Sequence, residues 1–406
     1  MALHIMEEAN RCLNCKKPMC RQGCPIGTSI PQMIQLFKNG DLGEAAEMLF
    51  ENNPMSVICS LVCNHEKQCE GNCILNRKGQ PVHISSIENY ISNTYLDKMK
   101  IACEPKNGRK VGVIGAGPAG LTIAIILAKK GYSVTIFDAK DKIGGVLQYG
   151  IPEFRLPKTI LERYKRKLLK LGIRIRPNTA IGTALEIKDL FRDGYESIFI
   201  GTGVWKPKTL GIRGESLGNV HYGIDYLANP DAYDLGERVA VIGMGNSAMD
   251  VARTALRKGA SEVTLYARGL RSTASEHEMT YAKLDGARME FGMQIMEIND
   301  DGPVFKKIFF NEEGEKTGEQ DEPVQICADT TIISVSQGPK SKLVNTTDGL
   351  KATEQGLLVT NQFGETTHPG IFAAGDVVLG AKTVVEAAAY SKIVAEAMDK
   401  YMKNNK

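Results

Sequence analysis

The stretch Lys110–Ala139, KVGVIGAGPAGLTIAIILAKKGYSVTIFDA, decides the fold class. A short apolar run, VGVI, ends in Gly115-x-Gly117-x-x-Gly120. A longer run of helical length follows, and a second strand, SVTIF, closes at Asp138. The first glycine of this pattern permits the tight turn, the second lets the backbone approach a pyrophosphate, and the third lets helix and strand pack closely. The helix start then favours phosphate charge, and the terminal carboxylate suits the ribose hydroxyls. Alone, a GxGxxG is a glycine-rich turn of many α/β domains, but strand, helix, second strand and terminal acid together argue for a dinucleotide site. Val111–Ala128 carries no charge over eighteen residues. Its glycines and Pro118 sit where a strand turns into a helix, so it reads as a buried strand, turn and helix and not as a membrane span.

The pattern recurs at Arg238–Arg268, RVAVIGMGNSAMDVARTALRKGASEVTLYAR, with Gly243, Gly245 and Ala248 at the turn and Asn246 and Ser247 between them. Each copy is one βαβ unit, so two nucleotide sites are expected. The second copy ends in Arg268 instead of an acid, and Arg271 follows. An arginine there suits a ribose 2′-phosphate, which favours NADPH, with NADH the alternative. Solvated surface charge is the alternative for both arginines.

Upstream lies RCLNCKKPMCRQGCPIG, with Cys12, Cys15, Cys20 and Cys24 spaced C-x2-C-x4-C-x3-C-P, and then CSLVCNHEKQCEGNC with Cys59, Cys63, Cys69 and Cys73. The chain has 406 residues, 43% apolar and 24% charged, with a net charge of +3; this suits two or three globular domains and gives no reason to expect nucleic acid. MALHIMEEANRC does not read as a signal peptide, so a cytoplasmic protein is expected, and in a reducing compartment eight clustered cysteines mean metal or sulfide ligation. Zinc is one candidate. The closing C-x3-C-P favours iron–sulfur, because in such runs the last cysteine serves a different cluster from the first three. Pro31 opens an apolar periodic run that Gly40 and Gly43 are expected to break into two short helices. Glu104–Lys110 reads as a polar linker.

Taken together, the cysteine block, the two glycine loops, GGVLQYGIPEFRLPK and HPGIFAAGDVVLGAKTVVEAAAYSKIVAEAM resemble one family. It is the glutamate synthase small (β) subunit and its relatives, which include the N-terminal half of dihydropyrimidine dehydrogenase and the large subunit of the NADH-dependent ferredoxin:NADP oxidoreductases. The resemblance implies an α-helical domain over 1–105 with two [4Fe–4S] clusters. An FAD-binding Rossmann-like domain over 106–213 and 343–406 would follow, interrupted by an NAD(P)H domain over 214–342. The FAD site would use Gly115, Gly117, Pro118, Ala119, Gly120, Asp138, Gly144, Gly145, Gly203, Gly375, Asp376, Thr383 and Val384. Interleaved ligand sets are implied: Cys12, Cys15, Cys20 and Cys73 for one cluster, and Cys24, Cys63, Cys69 and Glu88 for the other, with Cys59 the alternative to Glu88. Four and four in sequence order stays open. Asn64 after Cys63, Ala267 before Arg268 and Ser336 depart from the family's usual proline, arginine and glycine.

The implied activity is NAD(P)H-dependent oxidoreduction with electrons passing to a partner: a glutamate synthase large subunit, ferredoxin or another flavoprotein. An electron-transfer or bifurcating subunit without autonomous turnover is the alternative. Hydride transfer to a flavin needs no acid–base residue, and no catalytic residue is assigned. Thioredoxin-reductase-like chemistry needs a C-x-x-C beside the flavin, and neither Cys103 nor Cys327 has a partner at that spacing. His4, His83, His221 and His368 read as structural and His277 as a polar surface residue, with His65 expected to face solvent or cap a helix.

Overall fold

The computed structural model describes residues 2–404. The first hundred residues are helical: α1 (Ala2–Asn10), α2 (Met19–Gln22), α3 (Ile30–Lys38), α4 (Leu42–Asn52), α5 (Ser56–Val62) and α6 (Ile84–Tyr95). Pro31 sits in the first turn of α3, where its missing N–H has no partner to lose. Gly40, at φ +88°, turns the chain toward α4. Gly43 is not the second breaker expected from the sequence; it lies inside α4 because a Cβ there would approach the Tyr95 hydroxyl to 3.0 Å. Met33, Ile34, Phe37, Leu49, Phe50, Ile58, Ile87 and Ile91 form the buried faces of these helices.

Next come β1 (Lys110–Ile114), α7 (Pro118–Lys129), β2 (Ser133–Phe137), α8 (Val146–Tyr149), α9 (Lys158–Lys170), β3 (Arg174–Arg176), α10 (Ile187–Arg192) and β4 (Tyr195–Ile200). The middle of the chain holds β5 (Lys206–Pro207), β6 (Val220–Tyr222), α11 (Gly223–Ala228), β7 (Arg238–Ile242), α12 (Asn246–Arg257), β8 (Glu262–Ala267), α13 (Glu276–Leu284) and β9 (Arg288–Phe291). After β10 (Met293–Asn299), β11 (Gly302–Phe310), β12 (Lys316–Glu319), β13 (Val324–Gln325), β14 (Thr330–Ile333) and β15 (Gln337–Gly338), the chain returns through α14 (Lys342–Asn345), β16 (Ile371–Ala373), α15 (Asp376–Leu379) and α16 (Val384–Asn404).

Two parallel five-stranded sheets result, in the orders β16-β4-β1-β2-β3 and β6-β14-β7-β8-β9. Burial on both faces explains strands that read as continuous apolar runs. The last strand of the first sheet, β16, pairs with β4 across the whole intervening segment, which marks one nucleotide-binding fold interrupted by another. Met1–Gln148, Glu153–Val204 and Pro339–Lys406 form one compact unit, and Tyr149–Pro152 with Trp205–Gly338 form the other. The two crossing segments meet as an antiparallel ribbon, β5 against β15, and Ser336 accepts the Lys208 amide at 3.1 Å. The second unit adds an antiparallel sheet, β10-β11-β12 with β13 on β11. Among the described residues no helix is long and apolar enough to cross a membrane.

Candidate functional site

The last turn of α1 is tied to the chain beyond the eighth cysteine. Glu8 accepts the His83 amide at 2.7 Å, and Arg11 donates to the carbonyls of Gln80 and Pro81 at 2.6 and 3.1 Å. That clamp brings the two ends of the cysteine block together: Cys12, Cys15, Cys20 and Cys73 line one cavity of about 110 Å³. Cys24, Cys59, Cys63, Cys69 and Glu88 line a second, tighter one of about 20 Å³. The grouping is interleaved and not four and four in sequence order. Glu70 accepts the amide and hydroxyl of Ser85 at 2.8 and 2.7 Å, anchoring the start of α6, and Asn89 donates to Ser60 of α5 at 3.0 Å. These bonds set Glu88 on α6 opposite the thiols of the second cavity. His65, expected to face solvent or cap a helix, is half-buried and lines that cavity, and its carbonyl accepts the amides of Glu70 and Gly71 at 3.0 Å.

Burial pushes the Cys20 thiol up to about 11 and Glu88 up to about 8, with Glu70 adding to the latter. Cys12 and Cys69 are also raised, burial again being the main cause. Thiols and a carboxyl gathered in low dielectric favour their protonated forms unless a positive charge joins them, and a metal supplies that charge. The donor sets therefore fit thiolate-bound metal. Among the described residues no three Cys, His, Asp or Glu side chains meet closely enough to hold one ion. They ring volumes instead, and the first has room for several heavy atoms.

At the first glycine loop, Gly115 has φ +103°, and a Cβ there would lie 2.5 Å from the Gly201 carbonyl oxygen at the end of β4. On Gly120 it would meet the Gly115 carbonyl oxygen at 1.9 Å, and on Gly145 the Gly117 Cα at 2.9 Å. Gly144 donates to the Ala116 carbonyl at 2.8 Å, and a Cβ on Gly375 would reach that of Ala119 at 3.0 Å. The structure thus brings Gly115, Gly117, Pro118, Ala119, Gly120, Gly144, Gly145 and Gly375 into one cradle whose floor is bare backbone, as a pyrophosphate requires. Gly201, just after β4, closes over the loop. Asp138 accepts the amides of Ala116 and Lys140 at 2.6 and 2.8 Å, so it also holds the loop in place; burial raises its pKa. Asp376 accepts the Lys382 amide at 3.2 Å and is pushed up to about 6, by burial first and Glu386 second. Thr383 donates through its amide and hydroxyl to Glu386, fixing the first turn of α16 beside Val384. The next residue, Val385, lines the second thiol cavity.

The second unit repeats the device. Gly243, at φ +138°, would place a Cβ 2.2 Å from the Ser334 carbonyl oxygen. Gly245 caps α12, Ala248 is fully buried beneath it, and Asn246 accepts the Ser275 amide at 2.9 Å, tying loop to α13. Arg268 and Arg271 follow β8 with both side chains exposed.

Residues 2–100 match the family model described as dihydropyrimidine dehydrogenase domain II, 4Fe-4S cluster, and residues 76–190 and 109–391 match pyridine nucleotide-disulphide oxidoreductase. The small chain of glutamate synthase [NADPH] from Azospirillum brasilense is 34% identical over 98% of this chain and 89% of its own length. The chain belongs to the glutamate synthase small-chain family. The NAD-dependent dihydropyrimidine dehydrogenase subunit PreT of Salmonella typhimurium is 31% identical over 98% of this chain and 95% of its own. FprA from Mycobacterium tuberculosis in complex with NADPH shares the fold, with a TM-score of 0.63 at 17% identity over 74% of this chain and 85% of that one. As a member of the small-chain family the protein is an NAD(P)H-dependent oxidoreductase, whose cofactors are FAD, [4Fe–4S] and a pyridine nucleotide.

Proposed function

We propose that the chain oxidises NADPH ahead of NADH and delivers the electrons singly to a partner protein, in the manner of a glutamate synthase small subunit. Bound FAD would exchange a hydride for single electrons, and two [4Fe–4S] clusters would carry them one at a time. The protein's part is to hold these groups in place. Residues 106–213 and 343–406 would bind FAD through the cradle at Gly115–Gly120, with Gly144, Gly145, Gly203 and Gly375 beside it and Asp138 and Asp376 toward the ribose and ribityl or phosphate groups. Residues 214–342 would bind the nicotinamide nucleotide at Gly243–Ala248, with Arg268, and to a lesser degree Arg271, meeting a 2′-phosphate. Within 1–105, Cys12, Cys15, Cys20 and Cys73 would hold one cluster, and Cys24, Cys63, Cys69 and Glu88 the other. Cys59, buried and hydrogen-bonded to Cys63, is left as a spectator.

The observation that carries this reading is the first turn of α16. Val385 lines the second thiol cavity, and Thr383 and Val384, which would belong to the flavin set, immediately precede it, so the two sites would share one helical turn. The partner would dock over the first cavity. Its lining exposes Leu13 (61%), Met19 (42%) and Ile74 (37%) together with Lys17, and the exposed Lys16, Arg21, Arg77 and Lys78 lie within three residues of lining positions in sequence. A positive rim around an apolar centre fits an acidic one-electron acceptor. That rim is also what favours the second reading, exchange with ferredoxin or another flavoprotein without autonomous turnover of a metabolite. Anaerobic mixing with NADPH tests the main proposal: bleaching of the flavin band near 450 nm supports it, and an unchanged band refutes nicotinamide oxidation by this chain.

A further inference from the structure

Thr28, Asn52 and Lys392 are joined end to end and lead to one thiol. Lys392 Nζ, from the middle of α16, donates to Asn52 Oδ1 at 2.9 Å and to the Asn52 carbonyl oxygen at 2.7 Å. An ammonium only donates, so it fixes the amide oxygen of Asn52 toward itself and turns the amide nitrogen the other way. That nitrogen donates to the Ile26 carbonyl and to Thr28 Oγ1, both at 3.3 Å. Thr28 is 3% exposed; accepting there leaves its own proton for another partner. Cys24 Sγ lies 3.5 Å from that hydroxyl oxygen. As a thiol, Cys24 donates to it. As a thiolate it has no proton and only accepts, so the hydroxyl turns and donates to sulfur.

We infer that Lys392, Asn52 and Thr28 form a one-way chain of donors that raises the reduction potential of the metal group bound through Cys24 and sets it apart from the group bound through Cys12. This rests on the proposed ligand role of Cys24. Reduction adds a negative charge to a thiolate-bound group, and donors aimed at its sulfur stabilise the reduced form more than the oxidised form. Three bonds pointing the same way polarise one another, and the half-buried lysine is poorly screened by salt. The thiols of the first cavity lack such a side-chain relay among the described residues; Cys12 and Cys20 bond to the backbone at Asn14 and Arg21, and Lys38 acts on Cys12 only through space. α16 therefore touches the Cys24 site twice, with Val385 in the cavity wall and with Lys392 behind the ligand. A raised potential there favours electron uptake at the thiol site whose wall includes Val385, next in sequence to Thr383 and Val384.

The test is an anaerobic redox titration of the full chain followed by EPR, with iron content measured in parallel. Lys392→Met and Thr28→Val are each expected to lower the reduction equilibrium constant of one cluster signal about tenfold, which is about 59 mV for one electron. The double variant falls little further, the other signal stays put, and Thr28→Ser keeps the original potential. Lys400→Met, exposed on the same helix, leaves both signals unchanged. Unchanged potentials at full iron content overturn the inference, as does an equal shift of both signals. Should Lys392→Met lose iron, the Thr28→Val and Thr28→Ser pair decides alone. Cys24→Ala separates the two layers: loss of the signal that Thr28→Val shifts supports the ligand role, whereas two intact signals sink that role whatever the potentials do.

Discussion

Ser336 is exposed and sits at φ +115°, outside even the left-handed helical basin that non-glycine residues sometimes visit. Holding a side chain there costs about 1–3 kcal/mol. Ser336→Gly removes that strain and loses no buried contact, while the extra freedom of an unfolded glycine costs roughly 0.5–1 kcal/mol. The net expectation is stabilisation by about 1 kcal/mol, a rise of about 2–4 °C in the melting temperature of the second unit. Gly259 provides the mirror experiment. It has φ +108° with nothing within 4 Å of an added Cβ, so Gly259→Ala isolates the backbone cost and should lower the same transition by a similar amount. Calorimetry at fixed cofactor saturation reads both, since bound ligand itself moves the midpoint. A Ser336→Gly midpoint that is unchanged or lower, alongside a lowered Gly259→Ala, would refute the strain argument.

Gly243→Ala drives a methyl to 2.2 Å from a carbonyl oxygen, and NADPH oxidation should fall about 100-fold at unchanged flavin content, read by steady-state dye reduction. Arg268→Ala should raise KM for NADPH about tenfold and leave KM for NADH alone; equal effects on both would return Arg268 to a solvated surface role. Glu88→Ala should lose the same cluster signal as Cys69→Ala, while Cys59→Ala retains both signals; the reverse pattern makes Cys59 the ligand.

Both parallel sheets were legible because each glycine loop marks the point where an apolar strand becomes a helix, and the elements at Lys110–Phe137 and Arg238–Ala267 follow those loops. The interruption of one fold by the other was legible only from the resemblance, since the strand that proves it, β16, is three residues long. Spacing set Cys24 apart from Cys12, Cys15 and Cys20, but the return of Cys73 to those three was beyond it. The grouping is closed by Arg11 donating to a carbonyl 70 residues away, a bond that neither partner's type announces. Gly43 misled because a glycine required by a tyrosine on another helix looks the same in sequence as one that ends a helix. The antiparallel sheet at β10–β13 carries no signature beyond short alternating strands, and the Lys392 relay joins residues 340 positions apart.

Two thiol cavities, built from interleaved stretches of chain, would each hold an iron–sulfur group in a chain that also binds flavin. Iron and acid-labile sulfide in anaerobically purified protein test this most directly, measured for the parent, Cys12→Ala and Cys69→Ala. About eight of each per chain are expected in the parent, with half lost in either variant and flavin retained. Zinc without sulfide in the parent, or complete loss of iron in either single variant, would contradict it.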